Sequence, residues 1–228
     1  MKQVVVLLPM KGHSERVPNK NMKDFNGLPL YHTILKTLQQ SLRIKKIIIN
    51  TDSEIIADDA TSHFEKVYIN PRPDMLCGDF VPMNDIIAYD LSTHVDDDHF
   101  LQTHSTNPLL SVKTIDKSIE LYFDALDKGY DSVYSVTRFQ SRFYWENGKA
   151  INHNPAELIR TQDLSPIYEE NSNFYIFSRN SFNNANKKRI GLKPLMCEVN
   201  KKEAIDIDDL DDFIIAEAMA KIINNLII

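Results

Sequence analysis

Glycine is scarce in this chain, at 6 residues of 228, where a usual share of about 7% gives roughly 16. The shortage excludes the glycine cradles that hold nucleotide phosphates. A dinucleotide fingerprint needs G-x-G-x-x-G and a P-loop needs G-x-x-x-x-G-K-[ST], and Gly12, Gly27, Gly78, Gly129, Gly148 and Gly191 supply neither. Any phosphate bound here is held by something else. Cysteine is scarcer still. Cys77 and Cys197 are too few and too far apart for a disulfide framework or a zinc site, so free thiols in a reducing, cytoplasmic setting are expected. Long apolar runs are missing too. No stretch approaches the ~18 residues of a membrane span. The opening MKQVVVLLPMKGHSERVP breaks into charge after a short apolar run and reads as a first strand rather than a signal peptide.

What is present describes a chain able to bury a full core, with 43% hydrophobic and 25% charged residues, here expected as a single domain over 1–228. The net charge of −6 is unevenly spread. Residues 1–46 hold nine Lys/Arg against Glu15 and Asp24, whereas residues 203–217 hold seven acids and no base. A basic start and an acidic end suit a phosphorylated small molecule with a divalent metal. They equally describe helix-dipole bias and solvated faces. The overall negative charge argues against a nucleic-acid partner.

Strand and helix signals alternate. Val4–Pro9, Lys46–Asn50, Val67–Asn70, His99–Thr103, Ser132–Val136, Asn173–Phe177 and Leu195–Val199 read as strands. Pro29–Gln40, Glu54–Phe64, Asn84–Thr93, Val112–Leu126 and Leu210–Leu226 read as helices. The expected fold is a three-layer α/β domain with a mostly parallel central sheet flanked by helices, a Rossmann-like arrangement. Ligands then sit at the carboxyl ends of the strands. Residues 138–170 break the rhythm: they are polar, contain Trp145 and an Asn147-Gly148 turn, and read as an inserted excursion that caps a site or pairs subunits.

The loop after the first strand runs Met10-Lys11-Gly12-His13-Ser14-Glu15-Arg16-Val17-Pro18-Asn19-Lys20-Asn21. Three cations from one loop at a strand end neutralise a triphosphate without backbone amides, because charge-assisted contacts are roughly twice as strong as neutral ones. A basic surface loop that is merely solvated is the plain alternative. Near the other end, Asp206-Ile207-Asp208 in an extended segment points both carboxylates to one side. The competing reading makes Asp208 the N-cap of the last helix, with Asp209, Asp211 and Asp212 in its first turn.

The strand followed by Lys11-Gly12, Ser14, Pro18 and Lys20-Asn21, then Asn26-Gly27 and Pro29-Leu30 opening a helix, resembles the N-terminal signature of the acylneuraminate (sialic acid) cytidylyltransferases. Asn50–Ala57, Arg72-Pro73, Ser105–Leu109, Asn171–Ile176 and Glu203–Asp208 resemble that family's later landmarks, in order, over about residues 4–217. The resemblance implies a nucleotidyltransferase moving CMP from CTP to the anomeric hydroxyl of an acidic 2-keto sugar. Lys11 and Lys20 would meet the triphosphate. Gly12, Ser14, Arg16, Asn21 and Arg72 would line the nucleotide site, and Asp206 and Asp208 would hold Mg²⁺. His104, Arg160, Gln162 and Asn171 would face the sugar, with Arg160, and Arg142 second, matching a cation that reaches a sugar carboxylate across a homodimer. Departures are Glu15-Arg16 in place of lysine-glycine, His104 for glutamine, Leu110 for arginine and Ser172 for glycine. They point to a divergent subgroup acting on a nonulosonate related to sialic acid. The alternatives are an eight-carbon keto-acid cytidylyltransferase and a nucleotide-binding module without catalysis.

Overall fold

The computed structural model describes residues 1–226. Its elements run β1 (Val4–Met10), β2 (Asp24–Phe25), β3 (Leu28–Pro29), α1 (Leu30–Gln40), β4 (Ile44–Thr51), α2 (Glu54–His63), β5 (Val67–Pro71), α3 (Met83–Thr93), β6 (His99–Thr103), α4 (Val112–Leu126), β7 (Ser132–Phe139), β8 (Ile167–Ser178), α5 (Arg179–Asn184), β9 (Pro194–Glu198) and α6 (Leu210–Leu226). Seven strands form one sheet in the order β5-β4-β1-β6-β8-β7-β9. All neighbours are parallel except β8, which runs antiparallel to both β6 and β7.

The central strands read as continuous apolar runs because both sheet faces are covered. Every residue of β1 is buried. One core cluster lies between the sheet and α1, α2 and α4, and a second lies under α3 and α5. Helix starts follow their capping residues: Ser53 accepts from the Ile56 amide and Ser111 from the Thr114 amide. A clasp between α1 and α2 adds a polar layer, with Asp59 accepting from Tyr31 and bonded to His32.

A third cluster decides where the chain's acidic end goes. Ile207 is fully buried with Phe25, Leu30, Leu109 and Phe213, and Ile205 packs against them. The alternating Ile205 and Ile207 anchor the segment, which turns Asp206 and Asp208 to its other side.

The expected helices agree within about a residue, one boundary is corrected, and two local features are added. The excursion is shorter than 138–170, because Arg138-Phe139 belong to β7 and Ile167–Glu170 to β8, paired to one another. That extension is largely exposed, with Tyr168, Glu169 and Glu170 in solvent. Asn183-Asn184 close the short helix α5, which is started by a Ser178/Ser181 capping box. Asn26-Gly27 turns the two-residue strands β2 and β3, with φ of 56° and 87°. Within the excursion the Asn147-Gly148 turn is present, closed by a Tyr144–Ala150 bridge. Among the described residues no helix is long and apolar enough to cross a membrane.

Candidate active site

β1 lies between β4 and β6, so the strand order reverses there, and the crevice outside the carboxyl ends of β1 and β6 is the natural ligand position. Two loops meet across it. Asn21 donates through Nδ2 to the Lys11 carbonyl at 2.8 Å and accepts at Oδ1 from Ser105 Oγ at 2.6 Å, tying the loop after β1 to the turn after β6. Lys11, His13, Ser14, Glu15, Arg16, Lys20 and Asp79 line a pocket of about 300 Å³ there. The Gly12 amide is committed to Asp52 Oδ1 at 2.7 Å. A Cβ on Gly12 would lie 2.8 Å from Ser53 Cβ, so glycine is needed for the loop to lie against the β4–α2 junction. The pocket therefore offers side-chain cations.

The acidic end arrives from the other side. The Ile207 amide donates to the Thr106 carbonyl at 3.0 Å, and Lys20 Nζ donates to the Ile207 carbonyl at 2.6 Å. Arg16 pairs with Asp208 at 2.7 Å. Burial lowers the Lys20 pKa while Asp206 and Asp208 raise it, so both carboxylates act on this ammonium. Burial raises the Asp206 pKa, opposed by the Thr106 hydroxyl and reinforced by the charge of Asp208. Asp206 Oδ1 is buried without a hydrogen-bond partner. The cap of α6 is Asp209, which accepts from the Asp211 and Asp212 amides at 2.9 and 3.0 Å. Asp208 is thereby released from the capping role that its position allowed.

Arg72 is buried at the carboxyl ends of β1 and β4. Its Nε donates to Asn50 Oδ1 at 2.6 Å, and its Nη2 to the carbonyls of Asn50 and Met10. Behind it Asp90 accepts from Asn50 and Asn70 at 2.6 and 2.7 Å. Burial pushes the Asp90 pKa up to about 6 despite these donors. This network fixes the floor of the crevice.

The residues expected near a sugar are divided. His104 ends the strand β6 side of the crevice, bonded to Gln102 at 3.1 Å. Dehydration of its ring and the Arg189 charge hold its pKa down to about 4, leaving it neutral. Asn171 is buried and bonded to Thr137 at 2.9 Å. Next to it Ser172 takes φ 57°, the left-handed conformation a glycine adopts without strain. The β7–β8 register shifts here, and Asn173 Nδ2 reaches the Glu203 carbonyl at 2.6 Å. Arg160 and Gln162, by contrast, stay in the excursion. Arg160 is exposed and pairs with Asp163 at 2.7 Å, and the Gln162 carbonyl accepts from Gln140 at 2.6 Å. No hydrogen bond or ion pair joins either to the pocket among the described residues. Arg142 likewise donates within the excursion, to the Ile159 carbonyl.

Four site residues escaped sequence reasoning. Asp52 lay inside a recognised landmark without an assigned task. Asp79 pairs with Lys11 at 2.8 Å from a loop without periodicity. Gln102 sits inside an apolar strand, and Arg189 follows an Asn/Lys-rich stretch. None of these has a local sequence signal.

Known proteins resemble this chain in sequence and in fold. Residues 5–211 match the family described as Cytidylyltransferase. The chain is 29% identical over 224 residues to N-acylneuraminate cytidylyltransferase A of Danio rerio, covering 95% of this chain and 50% of that protein. It is 26% identical over 231 residues to CMP-N,N'-diacetyllegionaminic acid synthase of Legionella pneumophila, covering 96% of this chain and 97% of that protein. The chain spans about half the length of the Danio rerio, Escherichia coli and Oncorhynchus mykiss relatives. In fold it is similar to CMP:2-keto-3-deoxy-manno-octonic acid synthetase solved with CTP, with TM-score 0.70 and 12% identity over 96% of this chain and 99% of that one.

Proposed function

The chain belongs to the cytidylyltransferase family, and on that footing we propose that it transfers CMP from CTP to the anomeric hydroxyl of an acidic 2-keto sugar, sialic acid or a related nonulosonate. One observation carries this reading: the cations Lys11, Arg16 and Lys20 meet the carboxylates Asp206 and Asp208 at a single crevice. That combination suits a substrate bearing both a triphosphate and a metal.

In the proposed step the anomeric oxygen gives up its proton to solvent and forms a bond to the α-phosphorus of CTP as the bond to the α–β bridging oxygen breaks, and pyrophosphate leaves. Such transfers rest on positioning and charge neutralisation. Lys11 and Lys20 take up charge on the phosphates, while Arg72 and Asn21 keep the crevice floor and its two loops rigid beneath the nucleotide. Asp206 and Asp208 fit a magnesium ion. Asp206 Oδ1 is buried and unpartnered, and hard Mg²⁺ prefers one or two carboxylates completed by substrate phosphates. When bound, the ion supplies positive charge to the phosphate oxygens. Arg16 releases Asp208 in this reading and turns to phosphate.

The excursion supports a homodimer, since Trp145 is 61% and Leu158 93% exposed on it. Two unpaired cysteines and a nucleotide substrate support a cytoplasmic setting. The test is pyrophosphate release from CTP and Mg²⁺ with sialic, legionaminic and pseudaminic acids and an eight-carbon keto acid. Release with a nine-carbon acid is expected. CTP binding without turnover on any acid overturns the proposal in favour of a binding module, and turnover on the eight-carbon acid alone moves the substrate class.

A further inference from the structure

Among the described residues Arg189 is a partly buried cation without an ion-pair partner. It lies in the loop between α5 and β9, half-buried, with its guanidinium 3.6 Å from the centroid of the Tyr175 ring. Its side-chain hydrogen bond among the described residues runs from Nη1 to Gln102 Oε1, at 2.6 Å. Gln102 and Tyr175 are themselves fully buried, so the guanidinium rests on two rigid supports. Its backbone amide donates to Asn84 Oδ1 at the start of α3. The acid that acts on it, Glu170, accepts instead from the Tyr175 hydroxyl. Taking a guanidinium partly out of water without a paired carboxylate carries a cost that an anionic ligand offsets.

Its position indicates which ligand. Gln102 is paired with Leu7 of β1, three residues before Met10 opens the cationic loop, a distance of about 10 Å along the strand. Asn84 follows five residues after Asp79, the partner of Lys11. The bond to Gln102, next to the last residue of β6, puts Arg189 near the carboxyl end of that strand, the end at which the crevice opens. His104, on the other side of Gln102, is uncharged. Arg160, the arginine matched by resemblance to this task, is already engaged by Asp163 through two nitrogens.

We propose that Arg189 is a specificity-determining residue that binds the carboxylate of the acidic co-substrate, its Nε–Nη2 edge presented by stacking on Tyr175 and by the Gln102 bond. This rests on the reading that the chain activates a sugar acid. A planar fork held on one edge offers the other to a carboxylate in bidentate geometry. A sugar with an uncharged group at that position leaves the guanidinium unpaired and is rejected.

The test compares wild type, Arg189→Gln and Arg189→Lys on the sugar acid that wild type accepts and on its primary amide. Losing a hydrogen bond to a charged group raises the KM for the acid by about 10- to 150-fold in Arg189→Gln. The KM for CTP stays at the wild-type value, and the preference of wild type for acid over amide disappears. Arg189→Lys keeps the charge and loses the fork, so it raises the acid KM less and retains the preference. If Arg189→Gln does not bind CTP, it has lost its fold and Arg189→Lys decides alone. An active wild type whose variants keep their acid KM, or lose acid and amide turnover equally, overturns this inference and leaves the family reading intact. A wild type silent on every sugar acid overturns the substrate reading, and this inference with it.

Discussion

Lys20 donates to the main-chain oxygen of Ile207 at 2.6 Å, across 187 positions of sequence. The bond brings the basic start and the acidic end of the chain together. It also leaves Lys20 half-buried between Asp206 and Asp208, which oppose the effect of burial on its pKa. An ammonium held this way is already oriented before a triphosphate arrives.

Lys20→Ala is therefore expected to lower kcat by about 10²- to 10³-fold, the usual effect of removing one preorganised donor to a developing charge. Pyrophosphate release measures this, and the thermal midpoint should move little because Ile207 stays anchored by its apolar contacts. Near-wild-type turnover in this variant contradicts the assignment of Lys20.

Asp206 has a raised pKa, with burial the main cause. It takes up a proton at a higher pH than an ordinary aspartate, so magnesium-assisted CTP binding should weaken on acidification before the range in which an ordinary aspartate titrates is reached. Calorimetric titration of CTP with and without Mg²⁺ reads this directly. In Asp206→Asn, magnesium should no longer strengthen CTP binding at any pH, and Asp208→Ala should abolish pyrophosphate release in a protein that still folds.

Asp79 occupies Lys11 with an exposed ion pair. A triphosphate must displace it, so Asp79→Asn should lower the KM for CTP by about two- to fivefold, the range of a surface pair. An increased KM would show that Asp79 assists nucleotide binding.

Asp90 titrates at about 6 in the folded protein because it is buried, above the usual value of about 3.9 for an unfolded aspartate. A raised carboxyl pKa favours the protonated folded state. Its stabilising contribution is complete below about pH 4 and is lost as pH rises through about 6, a change of about 3 kcal/mol. Asp90→Asn removes this titration. Denaturant melts should show the stability difference shifting in favour of the variant between those two pH values and remaining constant above.

Much of the fold was legible in the sequence for a simple reason. β1 is enclosed on both faces, so it must be apolar throughout, and α4 must repeat Ile115, Ile119, Tyr122 and Phe123 along the face that meets the sheet. The Asp206-Ile207-Asp208 spacing likewise anticipated two carboxylates on one side of an extended segment, and Ile207 between them is buried. Composition also excluded a glycine cradle, and the Gly12 amide is bonded to Asp52.

Other features depended on distance through space, which local sequence does not encode. The cap of α6 went to Asp209 because packing of Ile207 and Phe213 set where the helix begins. Asp79 reached Lys11, and Asp90 gathered Asn50 and Asn70, only once the sheet had ordered its strands. Arg189 follows Lys187 and Lys188 in sequence with nothing local to single it out. Tertiary structure alone placed it on Tyr175 and against Gln102, because a strand running antiparallel between β6 and β7 brings that tyrosine beneath the loop. The sequence by itself determined which side chains were available for phosphate and metal; the order of strands decided which of them share one crevice.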